Sequence, residues 1–160
     1  MKVNLKTFIV IAAGAVLVAA CDPVDTREMQ AENASGQNLT LVLTKEIPAA
    51  DSASVDAFFA TPGCGVNNQA QTAGGMVFCR TGCPFPNGQK FTLSLRTDYG
   101  GLKPDKKPNA YDLRFWEKCD SFYIDNKTLL RDPKQLSNWM YKTQKRYTTA
   151  TFRIGPQDLQ

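Results

Sequence analysis

The feature that most constrains the fold is an alternation of apolar and polar residues with a period of two. A period of two places alternate side chains on opposite faces of a strand, whereas a helix needs a period of 3.6. The alternating apolar residues are Leu39, Leu41 and Leu43; Phe91, Leu93, Leu95 and Tyr99; Tyr111, Leu113 and Phe115; Phe122 and Ile124; and Ala150, Phe152 and Ile154. The pattern predicts an all-β fold, an antiparallel β-sandwich of about five to eight short strands.

Two segments carry more specific predictions. The clearest hairpin pairs residues 89–99 with residues 110–117. Its long connection contains three lysines, Lys103, Lys106 and Lys107. These lysines could meet an anionic glycan or lipid headgroups, although a solvated loop tip kept soluble by charge is the favoured interpretation. Residues 51–60 remain open between a strand and a short helix capped by Asp51 or Ser52.

The first 20 residues have the organisation of a signal peptide. Lys2 and Lys6 precede an uncharged stretch, Phe8–Ala20, that is too short to cross a bilayer as a helix. The stretch ends in Leu17-Val18-Ala19-Ala20-Cys21, which resembles the lipobox of bacterial lipoprotein precursors. The resemblance implies cleavage before Cys21, a diacylglycerol thioether on its Sγ and, usually, acylation of its new amino group. Two or more acyl chains hold a protein firmly on a membrane.

The leader determines the predicted domain organisation. Residues 1–20 are the signal peptide, 21–36 the lipidated cysteine and a flexible tether, and 37–160 a single β-sandwich domain. The tether is predicted because residues 22–36 are polar, lack aromatic side chains and show little periodicity. Asp22 resembles an inner-membrane retention signal of enteric bacteria, a meaning that other lineages do not share. We therefore expect a lipid-anchored cell-envelope protein, with the outer membrane favoured over the inner membrane.

Composition argues against several functional classes. The chain contains no histidine, which removes the commonest general base, the commonest metal ligand and the Ser-His and Cys-His nucleophile designs. The net charge of +4 falls further once Lys2 and Lys6 leave with the leader, so nucleic acid is not an expected partner. The sequence has neither a nucleophile elbow nor a phosphate-binding glycine loop, and no cofactor is expected.

Four cysteines follow Cys21, namely Cys64, Cys79, Cys83 and Cys119. An exported chain meets an oxidising compartment, so this even number predicts two disulfides. Three pairings are open, and we favour Cys64 with one of Cys79 and Cys83, and Cys119 with the other. Residues 61–88 hold six of the eleven glycines, so disulfides there would staple a segment of high unfolded-state entropy. The spacing lacks paired Cys-x-x-Cys knuckles, which argues against zinc and against redox activity.

Two groups of residues are candidates for chemistry. Glu117, Asp120 and Asp125 lie close together in sequence, and a small hydrolase could use Glu117 with Asp112 or Asp120. Their place at an apparent strand end also fits turn residues. The aromatic residues Trp116, Tyr123, Trp139 and Tyr141 could form a platform for sugar stacking, or they could belong to the core.

The C-terminal residues carry a second resemblance. Asn138-Trp139-Met140-Tyr141, a threonine-rich strand over 147–154 and Gly155-Pro156-Gln157-Asp158-Leu159 follow one another, and Asn33-Ala34-Ser35-Gly36 opens the domain. The combination resembles small, uncharacterised envelope lipoproteins of Gram-negative anaerobes. The resemblance implies a β-sandwich and a lipid anchor, and it carries over no catalytic residues. In related lineages Asp51-Ser52-Ala53 resembles an O-glycosylation acceptor, although a helix cap explains it equally well.

These observations favour a lipid-anchored, non-enzymatic protein with a binding or assembly role. Its sandwich would offer an edge strand or loop tips to another envelope protein. The alternatives are a glycan-binding module that uses exposed aromatic residues and a small carboxylate-based hydrolase.

Overall fold

The computed structural model describes residues 24–99 and 117–160. Several predicted features lie outside these ranges, so their predictions stand as they were made. They are the leader, Cys21 with its lipid, the lysines Lys103, Lys106 and Lys107, the predicted strand through Tyr111, Leu113 and Phe115, Asp112, and Trp116.

The described residues form two four-stranded sheets packed as a sandwich, which confirms the predicted all-β fold. Sheet A contains, in spatial order, β5 (Lys90–Tyr99), β1 (Val24–Asn33), β8 (Tyr147–Ile154) and β7 (Met140–Gln144). Sheet B contains β3 (Val66–Ala73), β4 (Met76–Phe85), β2 (Leu39–Pro48) and β6 (Ser121–Ile124). All neighbouring strands are antiparallel except β1 and β8, which run parallel.

The helical elements are short. The helix α1 (Ser52–Phe59) follows β2, and two single 3₁₀ turns occupy Leu136–Asn138 and Pro156–Asp158. Within the described ranges, no helix has the length and apolar character needed to span a membrane.

The strand β1 corrects the predicted domain boundary. It is a central strand of sheet A, paired with both β5 and β8, so the prediction of a flexible tether over 21–36 is wrong from Val24 onward. Met29 and Ala31 face the core, and Gln30 on the other face donates from Nε2 to Oγ1 of Thr151 (2.8 Å). The strand was not predicted from the sequence because its own side chains are mostly polar. The neighbouring strands supply most of the apolar surface.

The core lies between the inner faces of the two sheets. The predicted inward residues of β2, β6 and β8 are buried there, apart from the half-buried Leu39, and the rings of Phe122 and Phe152 meet edge to face across the sandwich at 5.6 Å. The strand β5 departs from the prediction at Leu95, which is exposed. The pairing steps from Met29–Ser94 to Gln30–Thr92, so Leu93 is an extra residue in β5. This β-bulge reverses the faces of the residues that follow it.

The ambiguous segment after β2 is helical. Oδ1 of Asp51 accepts the backbone N–H of Ser54 at 3.1 Å, which caps α1, and Phe58 packs into the core. The cap accounts for Asp51 in the Asp51-Ser52-Ala53 motif, and glycosylation of that motif stays a prediction. The strands β3 and β7 were not predicted, because every residue of each is exposed and neither shows an inward apolar face.

The side chain of Asn33 connects the two sheets where the chain passes from sheet A to sheet B. Its Nδ2 donates to the carbonyl oxygens of Phe85 (2.6 Å), at the end of β4, and of Gln37 (2.9 Å). Its Oδ1 accepts from the backbone N–H (3.1 Å) and the hydroxyl (2.7 Å) of Ser35. The adjoining turn requires Gly36, whose φ is +82°, and the Gly36 N–H donates to Asn87 Oδ1 at 2.9 Å. Asn33 itself is fully buried, and three of the four hydrogen bonds, those with Phe85 and Ser35, form away from water.

We expect Asn33→Ala to lower the free energy of unfolding by about 2–4 kcal/mol, because it leaves buried polar groups of the turn without partners. Urea unfolding measures the change. The control is Asn38→Ala, since Asn38 is exposed and accepts one hydrogen bond, from Asn87 N–H at 3.2 Å. A loss of the same size in both variants would contradict the role of Asn33.

A buried carboxylate holds the C-terminal residues. Asp158 is 2% exposed, and it accepts from the Gly155 N–H (2.7 Å) and from Nη2 (2.8 Å) and Nε (2.5 Å) of Arg131. The Arg131 guanidinium also lies 5.2 Å from the centre of the Phe152 ring. The hydrogen bonds from Arg131, followed by the one from Gly155, lower the pKa of Asp158 against the opposing effect of burial. The C-terminal segment Gly155-Pro156-Gln157-Asp158-Leu159 is therefore a structural element.

We expect Asp158→Asn to cost about 1–3 kcal/mol of unfolding free energy at pH 7. A carboxylate whose folded-state pKa is lowered stabilises the fold fully above its unfolded pKa, about 3.9, and loses this effect as pH falls through the folded value. The difference between wild type and variant should therefore shrink below about pH 4. Urea unfolding at pH 7, 4 and 3 tests this, with the exposed Asp56→Asn as control. A gap that does not change with pH would contradict the ion pair.

Candidate functional site

The structure forms one of the two predicted disulfides. Cys64 is bonded to Cys83, with their Cα atoms 4.0 Å apart, and the bond ties the segment before β3 to the core-facing side of β4. Cys79 and Cys119 are free buried thiols, so the predicted disulfide between Cys119 and the remaining cysteine of β4, Cys79, is absent. Cys79 lies opposite Lys45 of β2, whereas Cys119 precedes β6 on the far side of β2. Two strand spacings amount to roughly 10 Å, which a disulfide does not bridge.

The environment of both thiols keeps them protonated. Burial, with a smaller contribution from Asp120, raises the pKa of the Cys119 thiol to about 12. Burial also raises the pKa of Cys79. Neither side chain is therefore placed for nucleophilic or redox chemistry, which needs an accessible thiolate.

We expect alkylation under non-reducing conditions to label Cys79 and Cys119 only after the protein is unfolded in denaturant. Reduction before unfolding should add Cys64 and Cys83, and it should lower stability by about 3 kcal/mol for a loop of this length. Peptide mass spectrometry identifies the labelled positions. If none of these four cysteines is labelled when the protein is unfolded without reduction, a second disulfide has formed, and the assignment of two free thiols is contradicted.

The aromatic residues of the predicted platform that the structure describes, Tyr123, Trp139 and Tyr141, do not form one surface. Trp139 is 5% exposed, its Nε1 donates to the carbonyl of Pro133 (2.7 Å), and its ring packs against Phe152. Its assignment as a sugar-binding residue is therefore wrong. Tyr123 is partly exposed on the outer face of sheet B, and Tyr141 lies on β7 of sheet A.

Two members of the predicted carboxylate cluster, Asp120 and Asp125, are held apart. Asp120 accepts the Glu46 N–H at its Oδ2 (2.7 Å), and Asp125 is paired with Arg80 (3.0 Å). These two aspartates flank β6, so they lie about 17 Å apart along the strand, which exceeds the separation a glycosidase needs. Glu117 is exposed, and its carbonyl oxygen accepts Nζ of Lys45 (2.9 Å). In residues 24–99 and 117–160, no three cysteine, aspartate or glutamate side chains come together as a metal site.

A groove of about 660 Å³ lies over sheet B, and we call it the outer groove. Its volume is within the range of about 300–1,000 Å³ that small-ligand sites occupy. It is lined by Thr44, Lys45 and Glu46 of β2, Gln69, Ala70 and Gln71 of β3, Phe78, Cys79 and Arg80 of β4, Asp120 and Ser121 at β6, and Lys134. All four strands of sheet B therefore contribute to one surface.

The register of sheet B places the groove side chains in two rows. In the first row Phe78 lies between Gln71 of β3 and Glu46 of β2. In the second row Arg80 lies between Gln69 and Thr44, and Ser121 follows Thr44. These residues face outward because their neighbours Cys79 and Thr81 are buried against the core. The arrangement surrounds one exposed aromatic ring, 42% accessible, with amide, carboxylate, hydroxyl and guanidinium groups.

Arg80, in the second row, is held by contacts with neighbouring side chains. Its Nη2 donates to Asp125 (3.0 Å), its Nη1 is 3.5 Å from Oε1 of Gln69, and its guanidinium lies 5.6 Å from the centre of the Tyr123 ring. Its Nε is buried and, among the described residues, has no hydrogen-bond partner. A buried donor without a partner costs stability and is uncommon in folded proteins.

The residues that build the groove were missed at the sequence level. Phe78 and Arg80 belong to the cysteine-rich segment, which reads as a stapled loop because of its glycines and prolines. A signal was present, since Cys79, Thr81, Cys83 and Phe85 alternate inward and place Phe78 and Arg80 on the outer face. Of the predicted binding residues that the structure describes, Tyr123 is the one that lies beside this surface, beneath Arg80.

The comparisons with known proteins add no relative to this description. No family model, no curated protein and no solved structure matches the chain.

Proposed function

We propose that the protein is a lipid-anchored component of the cell envelope that acts by binding, without catalysis, and that the outer groove is its binding surface. The observation that supports this best is the groove itself, an open surface on sheet B with an exposed aromatic ring among polar groups. The engagement of Asp120 and Asp125 in structural contacts supports binding over hydrolysis.

The position of β1 bears on how the anchor would present the domain. Only Asp22 and Pro23 separate Cys21 from Val24, so a lipid on Cys21 would hold the start of β1 within roughly 10 Å of the acylated residue. The turn between β7 and β8 lies beside this end, because Thr26 N–H donates to the carbonyl of Arg146 (2.8 Å). Its exposed Lys145 and Arg146 suit an anionic headgroup layer. The proposal is a sandwich held close to the membrane rather than displayed on a long tether.

An assembly role has a structural candidate of its own. The strand β3 is an edge of sheet B, all eight of its residues are exposed, and its sequence Val-Asn-Asn-Gln-Ala-Gln-Thr-Ala carries no charge. Edge strands without charges are the ones to which another strand adds most readily. Because β3 also forms one wall of the outer groove, a partner at this edge and a ligand in the groove would meet the same residues.

We expect Cys21→Ser to move the protein from the membrane fraction to the soluble fraction, because the acyl chains would supply its attachment to the membrane. Fractionation and intact-mass measurement of the wild type test the anchor directly. Wild-type protein of unmodified mass in the soluble fraction would contradict it.

The binding surface is tested separately by photocrosslinking in intact cells. A benzophenone amino acid at Gln71, in the groove, should give a reproducible adduct, whereas the same amino acid at Lys142 should not, since Lys142 is also exposed but lies on β7 of sheet A. Mass spectrometry of the adduct identifies a protein partner or a glycan. Adducts of equal yield from both positions, or from neither, would contradict a binding role for the groove.

A further inference from the structure

We propose that the ligand of the outer groove is a neutral oligosaccharide, stacked on the ring of Phe78 and hydrogen-bonded by the side chains of β2 and β3. The inference rests on the binding role proposed above and specifies its chemistry. It differs from a platform of tryptophans, because the aromatic contact comes from β4 and the polar contacts from the strands on either side.

The ring of Phe78 supplies the apolar contact. It is 42% exposed in the middle of a four-stranded sheet, with no apolar side chain opposite it on β2 or β3. An aromatic face carries partial negative charge and attracts the polarised C–H groups that line one face of a sugar ring. A purely structural phenylalanine would be expected to turn such a surface towards the core.

The neighbours of Phe78 supply the hydrogen bonds that a sugar needs. Gln69 and Gln71 each offer a carbonyl oxygen and an NH₂ group, Thr44 and Ser121 offer hydroxyls, and Glu46 offers an exposed carboxylate. Donors and acceptors of this kind can each meet a sugar hydroxyl, which both donates and accepts. The two rows lie about 7 Å apart along the strands, so the contacts extend beyond a single sugar ring.

The charges in the groove favour a neutral ligand over an acidic one. Three positively charged residues, Lys45, Arg80 and Lys134, and two negatively charged residues, Glu46 and Asp120, line it. Lys45 already contacts the carbonyl of Glu117, and Arg80 is paired with Asp125 just outside the groove. No cluster of free positive charge among the described lining residues is therefore aimed at an anion.

The test uses the mature chain with Cys21→Ser, on an array of neutral oligosaccharides of four to six hexoses or N-acetylhexosamines. Acidic oligosaccharides, phosphatidylglycerol vesicles and unstructured peptides are included on the same array. Binding to at least one neutral member is expected. Titration of the ¹⁵N-labelled protein with that member should shift the side-chain amide signals of Gln69 and Gln71.

Matched variants distinguish a loss of affinity caused by the missing stacking contact from one caused by the removal of any exposed aromatic ring. Phe78→Ala should weaken binding about tenfold or more, because one stacking contact is lost, and Phe78→Tyr should keep most of the affinity. Tyr147→Ala should bind like wild type, since Tyr147 is also 42% exposed but lies on sheet A. Circular dichroism confirms that each variant is folded.

Three outcomes overturn the inference: no neutral member binds at millimolar concentration, acidic glycans, vesicles or peptides bind instead, or Phe78→Ala and Tyr147→Ala lose affinity equally. Each of these leaves the membrane fractionation and the crosslinking from Gln71 as independent tests of the broader binding role.

Discussion

The structure depends on the hydrogen bonds of one buried side chain, that of Asn33. The chain must leave sheet A at the end of β1 and enter sheet B at the start of β2, and at that point backbone groups lose their strand partners. Asn33 supplies partners to Phe85, Gln37 and Ser35, and its own carbonyl accepts the Gly88 N–H at 2.7 Å. The turn that links the sheets and the turn between β4 and β5 are thereby joined. The relative position of the two inner faces, and hence the core, follows from this connection.

The position of the core determines which side chains of sheet B face outward. Once Cys79, Thr81, Cys83 and Phe85 are committed to the core side of β4, the intervening Phe78 and Arg80 must lie on the outer face. The Cys64–Cys83 disulfide fixes β4 to the segment that leads into β3, and this brings Gln69 and Gln71 beside Arg80 and Phe78. The groove is thus a consequence of strand register and of one covalent bond. Most of its lining side chains come from strands, whereas Asp120 and Lys134 come from the connecting segments.

The sequence allowed the sandwich to be predicted, but it did not allow the site to be predicted. Strands such as β2 and β8 carry their own apolar alternation, so their inward residues are evident. The strand β1 is different, because its partners β5 and β8 stabilise it and its own side chains are mostly polar. At Leu95 a bulge reverses the alternation, and the hydrogen-bond register that produces the bulge is a property of two strands together.

The candidate site shows the same limit. Trp139 is of a residue type that often binds sugars, yet its contacts with the Pro133 carbonyl and the Phe152 ring place it in the core. Phe78 is of a residue type that usually belongs to the core, yet its register places it in the groove. Exposure depends on contacts between distant segments, so neither assignment follows from residue type.

The most direct test of the central claim, that the outer groove is occupied in the cell, is hydroxyl-radical footprinting of Phe78 in intact envelopes and in the purified protein. Tyr141 serves as the internal reference, because it is also exposed, at 37%, and lies on β7 of sheet A away from the groove. The account predicts that oxidation of Phe78 relative to Tyr141 is strongly reduced in envelopes and returns on purification. An unchanged ratio in the two samples would contradict it.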